Sequence, residues 1–298
     1  MIITPNSSII GATKSGIWAT GTTVIGNVSS TPTIPPIDLT APILDSRITY
    51  TGPAHFVLDD TGNLDLCDTN EWRVEGTMSL GVLGRHEPEP AATNLQPQSR
   101  ATVLGDFIKT SGIDSLQVSE NGGPDGGAIA LAPLECDVYA FSQDIGGAYL
   151  FPPTAYNLTP GWQRIVFTVT STARSALRLW FGRNSVNGAP AFWGTQGQMA
   201  AGTYTASFYV RSNDDSTFRV GFAQIEAGEL ATSPIVTTDA QASRTAASVV
   251  VDTSASASMT VHYNNGESDT YATPDDSFTI PPAKKNWGVR YMQRIEFR

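Results

Sequence analysis

Hydrophobic residues recur at every second position along much of the chain. In "RIVFTVTS" (residues 164–171), Ile165, Phe167 and Val169 fall on one side. In "TYTASFYVRS", Tyr204, Ala206, Phe208 and Val210 share a face, and "TFRVGFAQIEAG" sets Phe218, Val220 and Phe222 against Arg219 and Gly221. "ALRLWFG", "SMTVHYNN" and "SFTIPP" continue the pattern. Alternation with a period of two is the mark of strands with one buried face. Turn-forming clusters separate the runs: "ENGGPDGG", "NLTPGW", "RNSVNGAP", "SNDDST" and "YNNGES". Helical periodicity is almost absent. Many short strands at this spacing predict an all-β protein, a sandwich or a barrel.

Four segments follow from the shifts in pattern. Residues 1–45 are rich in Ser, Thr, Pro and Gly and end in "TPTIPPIDLTAPILDS". Proline fixes φ and removes donors, so this segment reads as an extended N-terminal arm. Its apolar residues, Ile9, Ile10, Ile17, Trp18, Val24 and Ile25, call for another surface to lie on, such as a second subunit. Residues 46–92 read as a small β-rich unit, 93–248 as the main strand set, and 249–298 as a terminal β unit after "DTSASAS".

Composition sharpens this picture. Charged residues make up 15% of the 298, against about 25% in an average chain. Ser, Thr, Asn, Gln and Gly take their place, as on surfaces built from strands and turns. The net charge of -10 and pI of 4.7 argue against nucleic-acid binding, which needs clustered Lys and Arg. The start "MIITPNSSIIGATKSG" has no charged region followed by an apolar core, so no signal peptide is expected. No apolar run approaches the roughly 20 residues of a membrane span, so membrane insertion is not expected either.

Candidate chemistry is sparse. Cys67 and Cys136 stand far apart with no CxxC, which leaves free thiols and a disulfide both open. His55, His86 and His262 are scattered. The adjacent pairs Asp59-Asp60, Asp214-Asp215 and Asp275-Asp276 could in principle serve glycan hydrolysis. Neighbours on a strand point to opposite faces, however, and "DDTG", "NDDST" and "PDDS" read as turns capped by Asp. No catalytic residue, cofactor or metal is assigned; calcium at an Asp-rich turn is the one metal alternative. Aromatic residues can stack on sugar faces, and "APAFWGTQGQ" places Phe192 and Trp193 in a Gly/Pro-rich loop. Trp180 is a further candidate.

Several passages line up with a known module. "SRITYTGPAHFVLDDTGNLDLCDTNEWRVE" has the form of a strand, an Asp-x-x-Gly turn and a second strand. "LGVLGRHEPEPAATNL" and "GGPDGGAIAL" follow, and then "FAQIEAGELATSPIVTTDAQASRTA". Over residues 46–248 the chain resembles a module of tailed-phage and prophage structural proteins. In that family a "G-x-L-x-E-P-x-x-T-N-L" motif opens a β-sandwich like a carbohydrate-binding module, and "A-Q-L-E-x-G-x-x-A-T-S-x-I-x-T" with an Arg-Ala pair closes it. The matching residues are Glu89, Pro90, Thr93, Asn94 and Leu95, then Ala223, Gln224, Ile225, Glu226, Gly228, Ala231, Thr232, Ser233, Ile235 and Thr237, with Arg244 and Thr245. In the family the "TYTASFYVRS"-like strand usually precedes the "GWQRIVFTVTS"-like strand; here the order is reversed. The ending "SFTIPPAKKNWGVRYMQRIEFR" also resembles the C-termini of phage tail and virion proteins.

The resemblance implies a central jelly-roll-like antiparallel β-sandwich flanked by the arm and the small β units. It implies a non-enzymatic virion protein of the tail-fibre, spike or head-fibre type, made in the host cytoplasm, with a surface for host glycans. Its partners would be other virion proteins and further copies of itself, in a homo-oligomer such as a trimer. A decoration protein that cements the particle without a glycan ligand is the alternative, and a polysaccharide-degrading enzyme is the second. Phe192, Trp193, Trp180, Gln224 and Glu226 are the glycan candidates. Gln224 and Glu226 lie two apart on a strand, so they share a face. They serve either as a glycan-site rim or as a staple on the turn that follows. Ile17, Trp18, Lys284, Lys285, Trp287, Arg290 and Arg294 are the candidates for assembly contacts, because bases and aromatic residues gather there on an acidic chain.

Overall fold

The computed structural model describes residues 34–77, 81–100, 102, 107–109, 117–119, 121–133, 138–143, 149–157, 159–171, 178–182, 191–194, 200–212 and 217–298. Among these residues there is no helix, and every paired strand runs antiparallel to its neighbours. The chain is all-β, as its alternation predicts.

Two five-stranded sheets occupy the middle of the chain. In the first, the order is Gln163–Ser171, Gly202–Ser212, Thr217–Ala227, Ile129–Pro133 and Gln117–Ser119. The second runs Tyr149–Tyr156, Val138–Gln143, Arg178–Gly182, Ala191–Gly194 and Phe107–Lys109. The two strands whose order is reversed from the family pattern are direct neighbours, with Ile165 opposite Phe208, Phe167 opposite Ala206 and Val169 opposite Tyr204. All six are buried and form one apolar face.

The alternation fails at one position. Val220 pairs with Val210 and Gly221 with Tyr209, but Gln224 pairs with Ser207, so one strand carries an extra residue. That extra residue is a β-bulge, and Phe222 within it takes φ +48°. Phe222 therefore leaves the Val220 face that the sequence pattern assigns to it. It turns to the opposite face, where its ring meets Phe56 edge-on at 5.8 Å. A bulky residue at positive φ is strained, and the apolar cluster of Phe56, Leu64, Tyr209, Phe222 and Trp287 holds it there.

The first described strands and the last ones form one unit, which redraws the expected boundaries. Ile37–Asp38, expected within the arm, pairs with the last strand, Met292–Phe297, setting Ile37 opposite Ile295. Ile48–Thr51, expected in the small β unit, pairs with Ser248–Asp252 of the terminal unit. Ile37, Leu39, Ile48, Tyr50, Val249, Val251, Met259, Val261, Ile295 and Phe297 share one core. The sequence hides this joint because the pairings span most of the chain and the proline-rich flank looks extended. Ile17 and Trp18 lie outside the described residues.

Because Ile37 is fully buried in that shared core, Ile37→Ala is expected to lower the unfolding free energy by about 2–5 kcal/mol. Urea unfolding followed by tryptophan fluorescence would measure it.

Candidate functional site

The bulge at Phe222 is also where the Thr217–Ala227 strand changes partners. Before it, Val220 pairs with Ala130. After it, Ala223 N–H donates to Ser99 O at 2.8 Å, and Leu95 N–H donates to Ile225 O at 2.7 Å. Asn94 locks this exchange. Its Nδ2 donates to Ile235 O (2.9 Å) and Ala223 O (3.3 Å), and its Oδ1 accepts from Ile225 N (3.1 Å) and Gln96 N (3.0 Å). One buried amide thus meets four backbone groups in three segments.

Gln224 and Glu226 project from the same strand and are 1% and 2% exposed. Gln224 Nε2 donates to Glu226 Oε2 at 2.7 Å, and Gln224 Oε1 accepts from Ile235 N at 2.7 Å. Glu226 also accepts from Thr232 N (3.0 Å) and Thr232 Oγ1 (2.6 Å). Burial raises the Glu226 carboxyl above its ordinary range, and the Thr232 and Gln224 donors oppose that rise. These two residues are the staple on the crossover. Their burial and their full set of partners place them away from any open rim, which corrects their assignment as glycan contacts.

Glu89 extends the network into the opening motif. It accepts from Ser233 N and from Ser233 Oγ (2.7 Å), and Arg244 Nη2 lies 3.0 Å from its Oε2. Arg244 also donates to Ser233 Oγ. Burial works to raise the Glu89 carboxyl, yet Arg244, His86 and the Ser233 donors outweigh it and hold the group low. The pair is nearly inaccessible on both sides, so neither charge can be removed without stranding the other.

Beside this joint lies a titratable cluster that scattered histidines in the sequence did not signal. His86 Nδ1 is 2.8 Å from Glu75 Oε1, and Glu75 Oε2 accepts from Leu58 N at 2.9 Å. Burial raises the Glu75 carboxyl despite His86. The His55 ring meets the His86 ring edge-on at 4.8 Å, and His55 Nδ1 lies 3.0 Å from Pro53 O. Burial, with His86 next, pushes the His55 imidazole down to about 4.

Arg290 makes a second charged knot. It grips Glu87 through Nε (2.8 Å) and Nη2 (2.7 Å), reaches Glu267 at 2.8 Å and Asp269 at 3.2 Å, and covers the Tyr263 ring at 3.8 Å. Between this knot and the crossover is a narrow crevice, with room for little more than a water molecule, lined by Glu87, Leu230, Thr232, Lys285, Asn286 and Trp287. Trp287 N–H donates to Ala231 O at 2.8 Å, and Asn286 Oδ1 accepts from Ala231 N at 2.8 Å, so the terminal loop clasps the crossover.

The remaining candidates separate into two groups. Trp287 and Arg290 are buried and serve the interior, which corrects their assignment as assembly contacts. Lys284 and Lys285 are exposed, as is Arg294, which pairs with Glu296 at 2.8 Å. Phe192 and Trp193 lie in the strand Ala191–Gly194 rather than in a loop, because the segment pairs on both edges. Trp180 is the cross-strand partner of Phe192. Asp59 Oδ1 accepts from Thr61 N, Thr61 Oγ1 and Asn63 N and so caps its own turn. Cys67 is a free, buried thiol that accepts from Arg73 Nε at 2.9 Å. Among the described residues, no group of three His, Cys, Asp or Glu side chains is placed to hold a metal ion, and no helix is long and apolar enough to cross a membrane.

Comparison of the chain with protein-family models, with curated proteins and with solved structures finds no match.

Two predictions follow from the joint. Glu89→Ala leaves Arg244 buried without its carboxylate, and is expected to cost about 3–5 kcal/mol in chemical unfolding. His55 has a folded value near 4, below the unfolded value of about 6.5. Between these pH values the unfolded chain binds more protons, so stability falls as pH drops through that window. The loss attributable to His55 is on the order of 3 kcal/mol. His55→Gln is expected to flatten that part of the stability-pH curve, and an unchanged curve would refute the assignment.

Proposed function

We propose that this chain is a structural component of a tailed-phage or prophage particle, of the fibre, spike or decoration type. The observation that carries the reading is the joint itself. Glu89 and Asn94 of the opening motif and Gln224, Glu226, Ser233 and Arg244 of the closing motif form one buried hydrogen-bond network. The residues that carry the resemblance are the ones that tie the crossover down, so the motif has a physical reason to recur as a set. Two five-stranded antiparallel sheets are also what a jelly-roll-like sandwich would contain.

In this reading the sandwich is a rigid mount and the particle-facing and host-facing contacts lie elsewhere. Trp180, Phe192 and Trp193 remain the glycan candidates, on adjacent strands of the second sheet. Homo-oligomerisation, as a trimer, is part of the proposal. A decoration role without a glycan has its own support: Lys284, Lys285 and Val289 are exposed on one loop of an acidic chain, a surface suited to an acidic neighbour. Truncating the terminus would not test that contact, because Met292–Phe297 is an interior strand. Lys284→Glu with Lys285→Glu tests it without touching the core.

Immunogold labelling of purified particles is the direct test of the virion role. Label on the particle is expected; a chain present in the lysate but missing from purified particles would overturn the proposal. On a glycan array, Trp193→Ala is expected to weaken the signal if the fibre or spike form holds, and the decoration form expects no signal at all.

A further inference from the structure

Arg164 and Arg211 stand on the face of the first sheet opposite to Ile165, Phe167 and Val169. Arg164 is the cross-strand partner of Tyr209, and Arg211 lies two residues further along the same strand, so the three share a face. Arg211 in turn sits opposite Arg219. Like charges directly opposite on a sheet repel, and burial, with Arg219 next, lowers the proton affinity of Arg211.

Several other arginines are matched by carboxylates, Arg244 by Glu89, Arg290 by Glu87 and Arg100 by Asp125, while the fully buried Arg85 lies over Trp72 and donates to the Ala41 and Pro42 carbonyls. Among the described residues, neither Arg164 nor Arg211 has a carboxylate within ion-pair distance. Aromatic rings take that place. Arg211 lies 5.0 Å from the Trp162 ring, and Arg164 lies 5.8 Å from Tyr209 and 5.5 Å from Trp287. A ring occupies the flat face of a guanidinium and leaves its N–H edge unoccupied. Arg164 Nη2 donates to Ser207 Oγ at 2.9 Å, but Arg164 Nε, Arg164 Nη1 and Arg211 Nε have no acceptor. The Trp287 Nε1 and Tyr209 hydroxyl that adjoin Arg164 have none either, but they lie inside the buried cluster and not on the surface. Unmet donors concentrate here, on a chain whose net charge is -10.

We propose that this face recognises an acidic saccharide: a sugar bearing a carboxylate, phosphate or sulfate. The half-buried Trp162 supplies the platform for the apolar sugar face, and Arg211, backed by Arg164, supplies donors to the oxyanion. The inference rests on the glycan-binding form of the proposed function and adds to it a ligand class and a further contact site on the first sheet, apart from Trp180, Phe192 and Trp193 on the second.

Isothermal titration with a glucuronate oligosaccharide, its neutral glucose counterpart and inorganic phosphate would test it. The glucuronate ligand is expected to bind at least about tenfold more tightly than either of the others, and Arg211→Gln to remove that advantage. Arg211→Lys is expected to behave like Arg211→Gln, since lysine keeps the charge but loses the fork and the stacking. Arg211 is half-exposed and faces Arg219, so its replacement should leave the fold intact; an unchanged far-ultraviolet circular dichroism spectrum is the control. Neutral sugar bound equally by the wild type and Arg211→Gln would overturn this inference and leave the glycan reading standing. Phosphate bound as tightly as the oligosaccharide would overturn the assignment to a sugar. No binding of either saccharide would overturn both.

Discussion

The carboxylate of Glu89 joins parts of the chain that lie 144 positions apart, and the rest of the architecture is arranged around that contact. Glu89 belongs to the segment entering the two central sheets, Ser233 and Arg244 to the segment leaving them. Ala247 N–H donates to Glu89 O at 2.9 Å, immediately before Ser248–Asp252 returns to pair with Ile48–Thr51. The entry and exit of the middle section are therefore held at one point. A buried ion pair is an expensive way to gain stability, because desolvation offsets much of its attraction. It is a specific way to fix which segments meet. Glu89 could not accept a hydrophobic substitute without also releasing the backbone of Ser233.

The joint explains why polar residues accumulate inside a protein with few charges. Asn94, Gln224, Glu226, Ser233 and Glu89 are all buried, and the side chains of Asn94, Gln224, Glu226 and Glu89 each bond backbone groups. The crossover over residues 228–241 has no named strand of its own, so its backbone groups need partners from elsewhere. Gln224 and Glu226 supply them from the adjacent strand, Asn94 and Glu89 from the entering segment. Irregular backbone can be buried here only because these side chains stand in for a missing strand.

What was legible in the sequence follows from the range of each interaction. The alternation of Ile165, Phe167 and Val169 reports a local constraint, and the structure follows it. The pairing of Gln224 and Glu226 with the turn that follows is also local, and two polar residues on one strand face announced it. The bulge at Phe222 was not legible, because the single extra residue preserves the apolar character of the segment while shifting its phase. Ile37 and Leu39 gave no signal either: they look like isolated apolar residues among prolines, and only a partner near residue 295 makes them core. Trp287 and Arg290 misled for the opposite reason. A basic, aromatic terminus looks like a docking surface until Glu87 and Ala231 are brought against it.

Charge placement separates the interior of this protein from its working surface. Arg244 and Arg290 are basic residues whose charge is cancelled within hydrogen-bond distance by Glu89 and Glu87. They contribute little to the field outside. Arg164 and Arg211 lie against rings instead, and a ring does not cancel charge; it orients the guanidinium and leaves its donors unmet. Both kinds of arginine are drawn from the same small set of bases on an acidic chain. A carboxylate partner or full burial, as for Arg85 over Trp72, assigns an arginine to the fold, whereas an aromatic partner beside a partly exposed arginine such as Arg211 leaves it available for a ligand. By that criterion the Arg211 end of this face, beside the buried Tyr209 cluster, and not the motif-rich crossover, is where this molecule has donors left for a ligand.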